Sequence, residues 1–243
     1  QEKYAEAADI LVQASERVPR TAPLAMHIAE TLAIVERYDE ALVWSERSVE
    51  YGPDQPASYC MGAWVGVQAG RHDAARRFLD EVPPATDPEV DYHLFRATIE
   101  LRDYAAALRH ASALPEYLVT QYETTSADLA AGLTHRAMDR PDLARASFAR
   151  AEAVLAAKIR EQPEAGNLRA AHAVTLAGIG RHAEALDQIE RSFALYPASK
   201  DPWIRTWRLR DRAYVQMLAG DHEAAVRSLA ELMKHQTDVI SPA

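Results

Sequence analysis

Histidine is the residue type in this 243-residue chain with the most obvious chemical potential, because imidazole binds metal ions and exchanges protons near neutral pH. Three of the nine histidines, His72, His182 and His222, hold equivalent positions in a repeating pattern that is described below. No two histidines stand four residues apart, the spacing that places two zinc ligands on one face of a helix. A site assembled from separate repeats stays open, but no motif indicates one.

Other motifs for catalysis or cofactor binding are equally weak. Segment 178–183, Gly-Ile-Gly-Arg-His-Ala, loosely matches a dinucleotide-binding fingerprint, but that fingerprint needs a preceding strand and a helical pattern precedes it here. Neighbouring carboxylates such as Asp39 and Glu40 point to different faces of a helix. The single cysteine, Cys60, excludes an internal disulfide and a cysteine-based zinc site. We therefore expect no catalytic residue, no cofactor and no enzymatic activity.

Composition narrows the class of protein further. The formal charge is −9, from 27 basic and 36 acidic residues, so the chain as a whole repels nucleic-acid phosphates and no nucleic-acid partner is expected. No apolar run approaches the roughly 18 residues of a membrane-spanning helix, so no membrane insertion is expected. Alanine is abundant and glycine occurs only 9 times, which favours helices over strands.

One short pattern recurs along the whole chain: an aromatic residue or histidine, two mostly polar or small residues, and an alanine. It begins at seven positions, once with proline in first place: Tyr4, Tyr38, His72, Tyr104, Pro141, His182 and His222. The early steps are close to 34 residues, and the steps after Tyr104 are longer. The alanine suits a close crossing of two helices. Glycine two residues before the pattern, as at Gly70, Gly180 and Gly220, favours the positive φ of a helix end.

A period near 34 residues built from paired helices resembles the tetratricopeptide repeat, and the likeness extends over nearly the whole chain. The resemblance implies an all-α fold, a right-handed α-solenoid of antiparallel helix pairs. Proline and glycine boundaries predict thirteen helices, at 3–17, 22–35, 38–51, 56–69, 72–81, 88–101, 103–113, 124–138, 141–161, 166–179, 182–195, 201–219 and 221–235. We expect one array over 1–243, regular over 1–119 and with longer, less regular repeats over 120–243. The first repeat lacks its first helix and no polar cap ends the last, so we expect the chain to be part of a longer protein.

The resemblance also implies that the first helix of each repeat lines a concave groove, and the inward-facing residues follow from the register. The strongest candidates for partner binding are Trp64, Tyr92 and Arg96, which combine aromatic area with a guanidinium group. The other candidates are Met26, Cys60, Leu133, Arg136, Arg210 and Tyr214. Alternatively, Trp64 and Tyr92 fill the groove or pack on the adjoining helix. Trp203 and Trp207, four residues apart on the last long helix, form either an exposed patch or part of the core.

Two functions fit such a surface. The first is a non-catalytic scaffold that binds a peptide or helix of a protein partner in the groove. The second rests on a more limited resemblance, because segment 180–233 is similar to the repeat tails of proteobacterial kinases, cyclases and transcriptional regulators. That resemblance implies a sensor or regulatory module of a larger bacterial signalling protein, or a module that forms a homodimer.

Overall fold

The computed structural model describes residues 2–15, 17–197 and 201–234, and within these ranges the chain forms thirteen helices and one two-stranded hairpin. The elements divide into two compact units, one ending at Asp103 and the other beginning at Tyr104. Among the described helices, none combines the length and the apolar character that crossing a membrane requires.

The N-terminal unit consists of six helices in which second and first helices of the repeats alternate. They are α1 (Glu2–Ser15), α2 (Ala22–Ile34), α3 (Tyr38–Tyr51), α4 (Pro56–Gln68), α5 (His72–Asp80) and α6 (Pro88–Glu100). Helices α2 and α3 form one pair and α4 and α5 the next, and the first helices α2, α4 and α6 also contact one another in turn. One apolar cluster buries Ile28 and Leu32 of α2 against Val65 of α4, and a second contains Tyr59 and Phe78.

The C-terminal unit begins with a second helix and a hairpin. Its elements are α7 (Tyr104–Ala113), β1 (Leu118–Val119), β2 (Thr124–Thr125), α8 (Ala127–Ala137), α9 (Pro141–Glu161), α10 (Gly166–Gly178), α11 (His182–Leu195), α12 (Pro202–Leu218) and α13 (His222–Leu232). Phe148 of α9 is fully buried at the centre of its core. A Cβ atom added at Gly132 or Gly178 would come within 2.7 Å of the Phe148 ring, so these glycines let α8 and α10 approach α9 closely.

The turn between the two helices of a pair has the same geometry six times. One residue takes a positive φ in each turn: Glu36, Gly70, Arg102, Asp139, Gly180 and Gly220. The amide of the following residue then donates to the carbonyl five residues earlier, as from Arg71 to Gly66 at 2.8 Å and from Asp221 to Gln216 at 2.9 Å. This is the Schellman arrangement, which satisfies carbonyl groups at the helix end. The positive φ predicted for Gly70, Gly180 and Gly220 is therefore confirmed.

Alanines of the recurring pattern are buried where two helices of one unit pair. Five of them lie in such pairs: Ala41, Ala75, Ala144, Ala185 and Ala225. Ala107 of α7 is also buried. At the crossing of α4 and α5, a Cβ atom added at Gly66 would lie 2.8 Å from the backbone nitrogen of Ala75. Ala7 is half-buried, and its neighbour Ala8 is fully buried in the cluster that contains Ile28 and Leu32 of α2.

The predicted helix boundaries agree with the structure to within two residues, with two exceptions. The last helix was expected over 221–235, but α13 ends at Leu232, and residue 235 lies outside the described residues. The helix expected over 124–138 begins at Ala127, because Thr124 and Thr125 pair with β1 as the short strand β2. Ser126 then caps α8, since its hydroxyl accepts a hydrogen bond from the Leu129 amide at 3.1 Å. The absence of glycine and proline within 142–161 predicted a long second helix there, and α9 confirms it with 21 residues.

Candidate binding faces

The first helices of each unit form a continuous surface, which we call the first-helix face. In the N-terminal unit α2, α4 and α6 form it, and local sequence fixes where each of these helices begins. Proline stands in the first turn of all three, where its fixed φ suits a helix and its missing N–H costs no hydrogen bond. The side chains of Thr21 and Asp87 cap α2 and α6 by accepting hydrogen bonds from the Leu24 and Glu89 amides.

The predicted binding residues of the N-terminal unit differ in how much surface they expose. Met26 and Trp64 are half-buried, whereas Cys60 is 6% and Tyr92 only 5% exposed. Trp64 also packs on the cluster that contains Ile28, so part of its ring contributes to the contact between α2 and α4. The burial of Tyr92 therefore agrees with the alternative in which it packs on adjoining helices. Trp64 packs on the Ile28 cluster and also keeps part of its surface exposed.

The polar groups beside these residues are partly paired within the helices. Arg96 and Glu100 stand one turn apart on α6 with 3.7 Å between the nearest nitrogen and oxygen, and both side chains retain some exposure. Burial, and the nearby carboxylate of Asp91, raise the pKa of the Cys60 thiol to about 12. Cys60 is therefore a small packing residue at neutral pH, because its thiol stays protonated.

A cavity of about 640 Å³ also opens in the N-terminal unit, and no pattern in the sequence predicts it. It lies between the end of α1, the start of α2 and the second half of α3, where Val12, Leu24 and Trp44 supply apolar walls. Arg20 and Arg47 also line it, and the Arg47 guanidinium lies 4.4 Å from the centre of the Trp44 ring. Aromatic surface beside guanidinium groups suits an apolar group that carries an acid.

In the C-terminal unit, helices α8, α10 and α12 form the first-helix face. Leu133 and Tyr214, two of the predicted binding residues, are half-buried and pack on the cluster around Phe148. Arg136 is exposed at the end of α8, and it opposes the rise that burial causes in the pKa of the Tyr214 hydroxyl. The structure thus brings these three predicted residues together on one face.

The loop between α7 and α8 folds back onto this face, and we call residues 115–126 the flap. Its base is closed by a hydrogen bond of 3.1 Å from the Ala127 amide to the Pro115 carbonyl. Above the base, β1 and β2 pair in antiparallel register, and the Thr120 amide donates to the Glu123 carbonyl at 2.9 Å across a tight turn. The flap contacts α10 through β2 and presents Tyr122 to α12 from its tip.

Two residues of the flap tip contact α12. The ring of Tyr122 stacks on Trp207 with 5.3 Å between centroids and 15° between planes. The Tyr122 carbonyl accepts a hydrogen bond of 2.6 Å from Arg208, a residue that is only 1% exposed. The Glu123 carboxylate pairs with Arg210, which also bonds to Asp211 at 2.6 Å. Arg210 was predicted to bind a partner, and in the structure its charge is already matched inside the unit.

The positive charges of Arg208 and Arg210 are matched in number by the carboxylates of Glu123 and Asp211 at the flap tip. Burial raises the pKa of Glu123 and Arg210 opposes that shift, while Asp211 adds to it. Arg208 lies 3.4 Å from Asp211, but its Nε and Nη1 groups have no hydrogen-bond partner among the described residues. Trp207 is buried, so it forms part of the core and not of an exposed patch. The side chain of Trp203 lies outside the described residues.

The residues first considered for chemistry have other places in the fold. His72, His182 and His222 each open a second helix, directly after a Schellman turn. Gly178 of the dinucleotide-like segment ends α10, so a helix and not a strand precedes that segment. His172 is buried in α10 with its Nε2 atom 3.5 Å from Glu152. Within the described ranges no three His, Cys, Asp or Glu side chains gather closely enough to hold a metal ion.

Comparison with solved structures identifies the fold. A tetratricopeptide repeat protein from Parabacteroides merdae matches with a TM-score of 0.58 at 16% identity, over 95% of this chain and 86% of that one. A chain of the APC/C hetero-tetramer Cut9–Hcn1 matches with a TM-score of 0.53 at 17% identity, and the match covers 96% of this chain and 45% of that chain. The sequence matches no protein-family model and no curated protein.

Proposed function

We propose that this chain, an all-α solenoid with the tetratricopeptide-repeat fold, is a non-catalytic scaffold that binds a segment of a protein partner on its first-helix faces. Stacked helix pairs present a long surface without a single enclosed site, which suits recognition of an extended or helical segment. We place the main contact on the N-terminal unit, around Trp64, Met26 and Arg96.

The state of Trp64 is the observation that carries this proposal. Tryptophan and arginine are enriched among residues whose truncation weakens protein binding most. Trp64 is anchored on one side by the cluster around Ile28 and stays half-exposed on the other, so its ring is held in place before a partner arrives. A side chain that is already ordered loses little conformational entropy on binding. The helices on either side of α4 add an apolar and a cationic side chain to this face, Met26 on α2 and Arg96 on α6, and both are also half-buried.

The test begins with a library of random peptides displayed on phage and selected on the immobilised chain. A selected peptide, labelled with a fluorophore, is then titrated by anisotropy against the wild type, Trp64→Ala, Arg96→Gln and the control Trp44→Ala. Trp44 is half-buried on the second helix α3 and so gives the same chemical change away from the first-helix face. We expect Trp64→Ala and Arg96→Gln each to weaken peptide binding by about tenfold or more, and Trp44→Ala to change it by less than about twofold.

Circular dichroism melting separates a binding effect from loss of structure. Trp64→Ala should keep its helical signal, and if it unfolds, Arg96→Gln decides the test because its side chain is only part-buried. The proposal fails if selection yields no specific peptide. It also fails if peptide affinity follows Trp44 and not Trp64, which would place binding in the cavity beside α1 and α3.

A further inference from the structure

The flap depends on its docking site for its conformation. Its two strands have only two residues each, and an isolated hairpin of that size is not stable in water. The strands and the tip therefore keep their shape because β2 lies on α10 and Tyr122 and Glu123 contact α12. Loss of those contacts releases the tip without breaking any helix, since the flap is joined to α7 and α8 at its base.

The contacts at the tip resemble recognition of a peptide. An aromatic ring stacks on a buried tryptophan, a main-chain carbonyl accepts from a buried arginine, and a carboxylate pairs with a second arginine. Guanidinium groups suit carboxylate and carbonyl partners in this way because they donate in a fixed plane. None of these contacts requires a covalent link between the flap and the rest of the unit.

The flap leaves part of this site unsatisfied. Arg208 is buried, yet its Nε and Nη1 groups donate to no described residue. Buried donors without acceptors are unfavourable, so a ligand that supplies more acceptors than the flap gains an advantage over it. The flap belongs to the same chain and therefore has a high effective concentration at its site. The additional hydrogen bonds of a separate ligand offset that advantage.

We propose that the flap is an internal ligand of the C-terminal first-helix face and that a partner segment with an aromatic residue followed by an acidic residue displaces it. The aromatic ring takes the place of Tyr122 on Trp207, and the carboxylate takes that of Glu123 on Arg210. The face is then closed in the absence of partner and opens by competition. This proposal rests on the scaffold function proposed above, but it concerns the other unit and is tested separately.

The experiment uses a fluorescent peptide with the sequence of residues 115–126 and the full chain. The flap of the chain is released by the double substitution Tyr122→Ala and Glu123→Gln. Glu116→Gln is the matched control, because Glu116 is an exposed carboxylate of the same flap. We expect the released variant to bind the peptide at least about tenfold more tightly than the wild type or the control, since neither has lost its internal competitor.

Two further substitutions locate the binding. Arg210→Ala added to the released variant should abolish peptide binding, and a peptide carrying the same Tyr and Glu changes should not bind. Trp64→Ala added to the released variant should leave binding unchanged, so failure of the scaffold proposal in the N-terminal unit does not affect this result. Equal binding by wild type and released variant, or binding that ignores the Tyr–Glu pair, would overturn the proposal.

Hydrogen exchange on the wild type provides a second measurement in case the released variant unfolds. The amide of Thr120, which closes the flap turn, should exchange at least about tenfold faster than amides in the middle of α10, because the flap opens without unfolding of the unit. Exchange of both at the same rate would show that the flap opens only when the whole unit unfolds, and the proposal would then be wrong.

Discussion

Replacing Arg102 by glycine should stabilise the protein, because Arg102 holds a conformation that an L-residue adopts only at a cost. Its φ is 58°, and it ends α6 in the position that Gly70, Gly180 and Gly220 hold in other turns. The left-handed conformation costs a non-glycine residue roughly 1–2 kcal/mol. The exposed Arg102 side chain forms no hydrogen bond or ion pair with the described residues, so little is lost with it.

The expected gain follows from two opposing effects. Glycine removes the strain of the left-handed conformation but gives the unfolded chain more freedom, which costs roughly 0.5–1 kcal/mol. With both effects near the middle of their ranges, the net change in the free energy of unfolding is a gain of about 0.5–1 kcal/mol. For a chain of this length the corresponding rise in Tm is about 1–4 °C.

The reverse substitution tests the same reasoning from the other side. Gly220 has a φ of 83°, and a Cβ atom added there would meet nothing within 4 Å. Gly220→Ala therefore changes only the backbone preference, and we expect it to destabilise the protein by about 1 kcal/mol or somewhat more.

Urea unfolding followed by far-ultraviolet circular dichroism measures both changes, with an unchanged m-value as the check that the unfolding process is the same. Arg109→Gly is the matched control, since Arg109 is exposed within the regular helix α7, and there the same substitution should cost about 1 kcal/mol. If Arg102→Gly destabilises the protein as much as Arg109→Gly does, the account of these turns is refuted.

Two further predictions follow from buried titratable groups. Burial lowers the pKa of His172, and this outweighs the opposing effect of Glu152, so the unfolded chain binds a proton more readily than the folded chain does. The stability of the protein should therefore fall as the pH drops below about 6.5. His172→Gln should reduce the difference between the Tm values measured at about pH 7.5 and about pH 5. Burial raises the pKa of Cys60 to about 12, so iodoacetamide should alkylate it far more slowly in the folded chain than in urea, and equal rates would contradict its placement.

The periodicity of the sequence predicts the helices well because each boundary depends on local chemistry. Proline in the first turn and a left-handed residue after the last turn act within a few residues of the chain. The turns at Glu36, Arg102 and Asp139 show the limit of this argument, because no glycine marks them and only the recurring pattern places them. The turn between the helices requires a positive φ at these three positions, and the residues there adopt it although they are not glycines.

The candidate sites were harder to predict because they depend on distances between helices and on contacts far apart in sequence. The register placed Tyr92 and Cys60 on the first-helix face, but it could not show how closely neighbouring helices cover them. The flap contacts join residues 86 and 87 positions apart, from Tyr122 to Arg208 and from Glu123 to Arg210. The longer step after Tyr104 was the only sign in the sequence that extra chain is present at this point.

A position-specific cross-link distinguishes peptide binding on the first-helix face from binding on the second helices. A benzophenone amino acid is placed at Met26, half-buried on the first helix α2, and in a second protein at Val43, which is 47% exposed on the second helix α3. Irradiation with the peptide selected on the wild-type chain should cross-link it to the protein with the probe at Met26 and not to the one with the probe at Val43. Cross-linking from Val43 alone would contradict binding on the first-helix face.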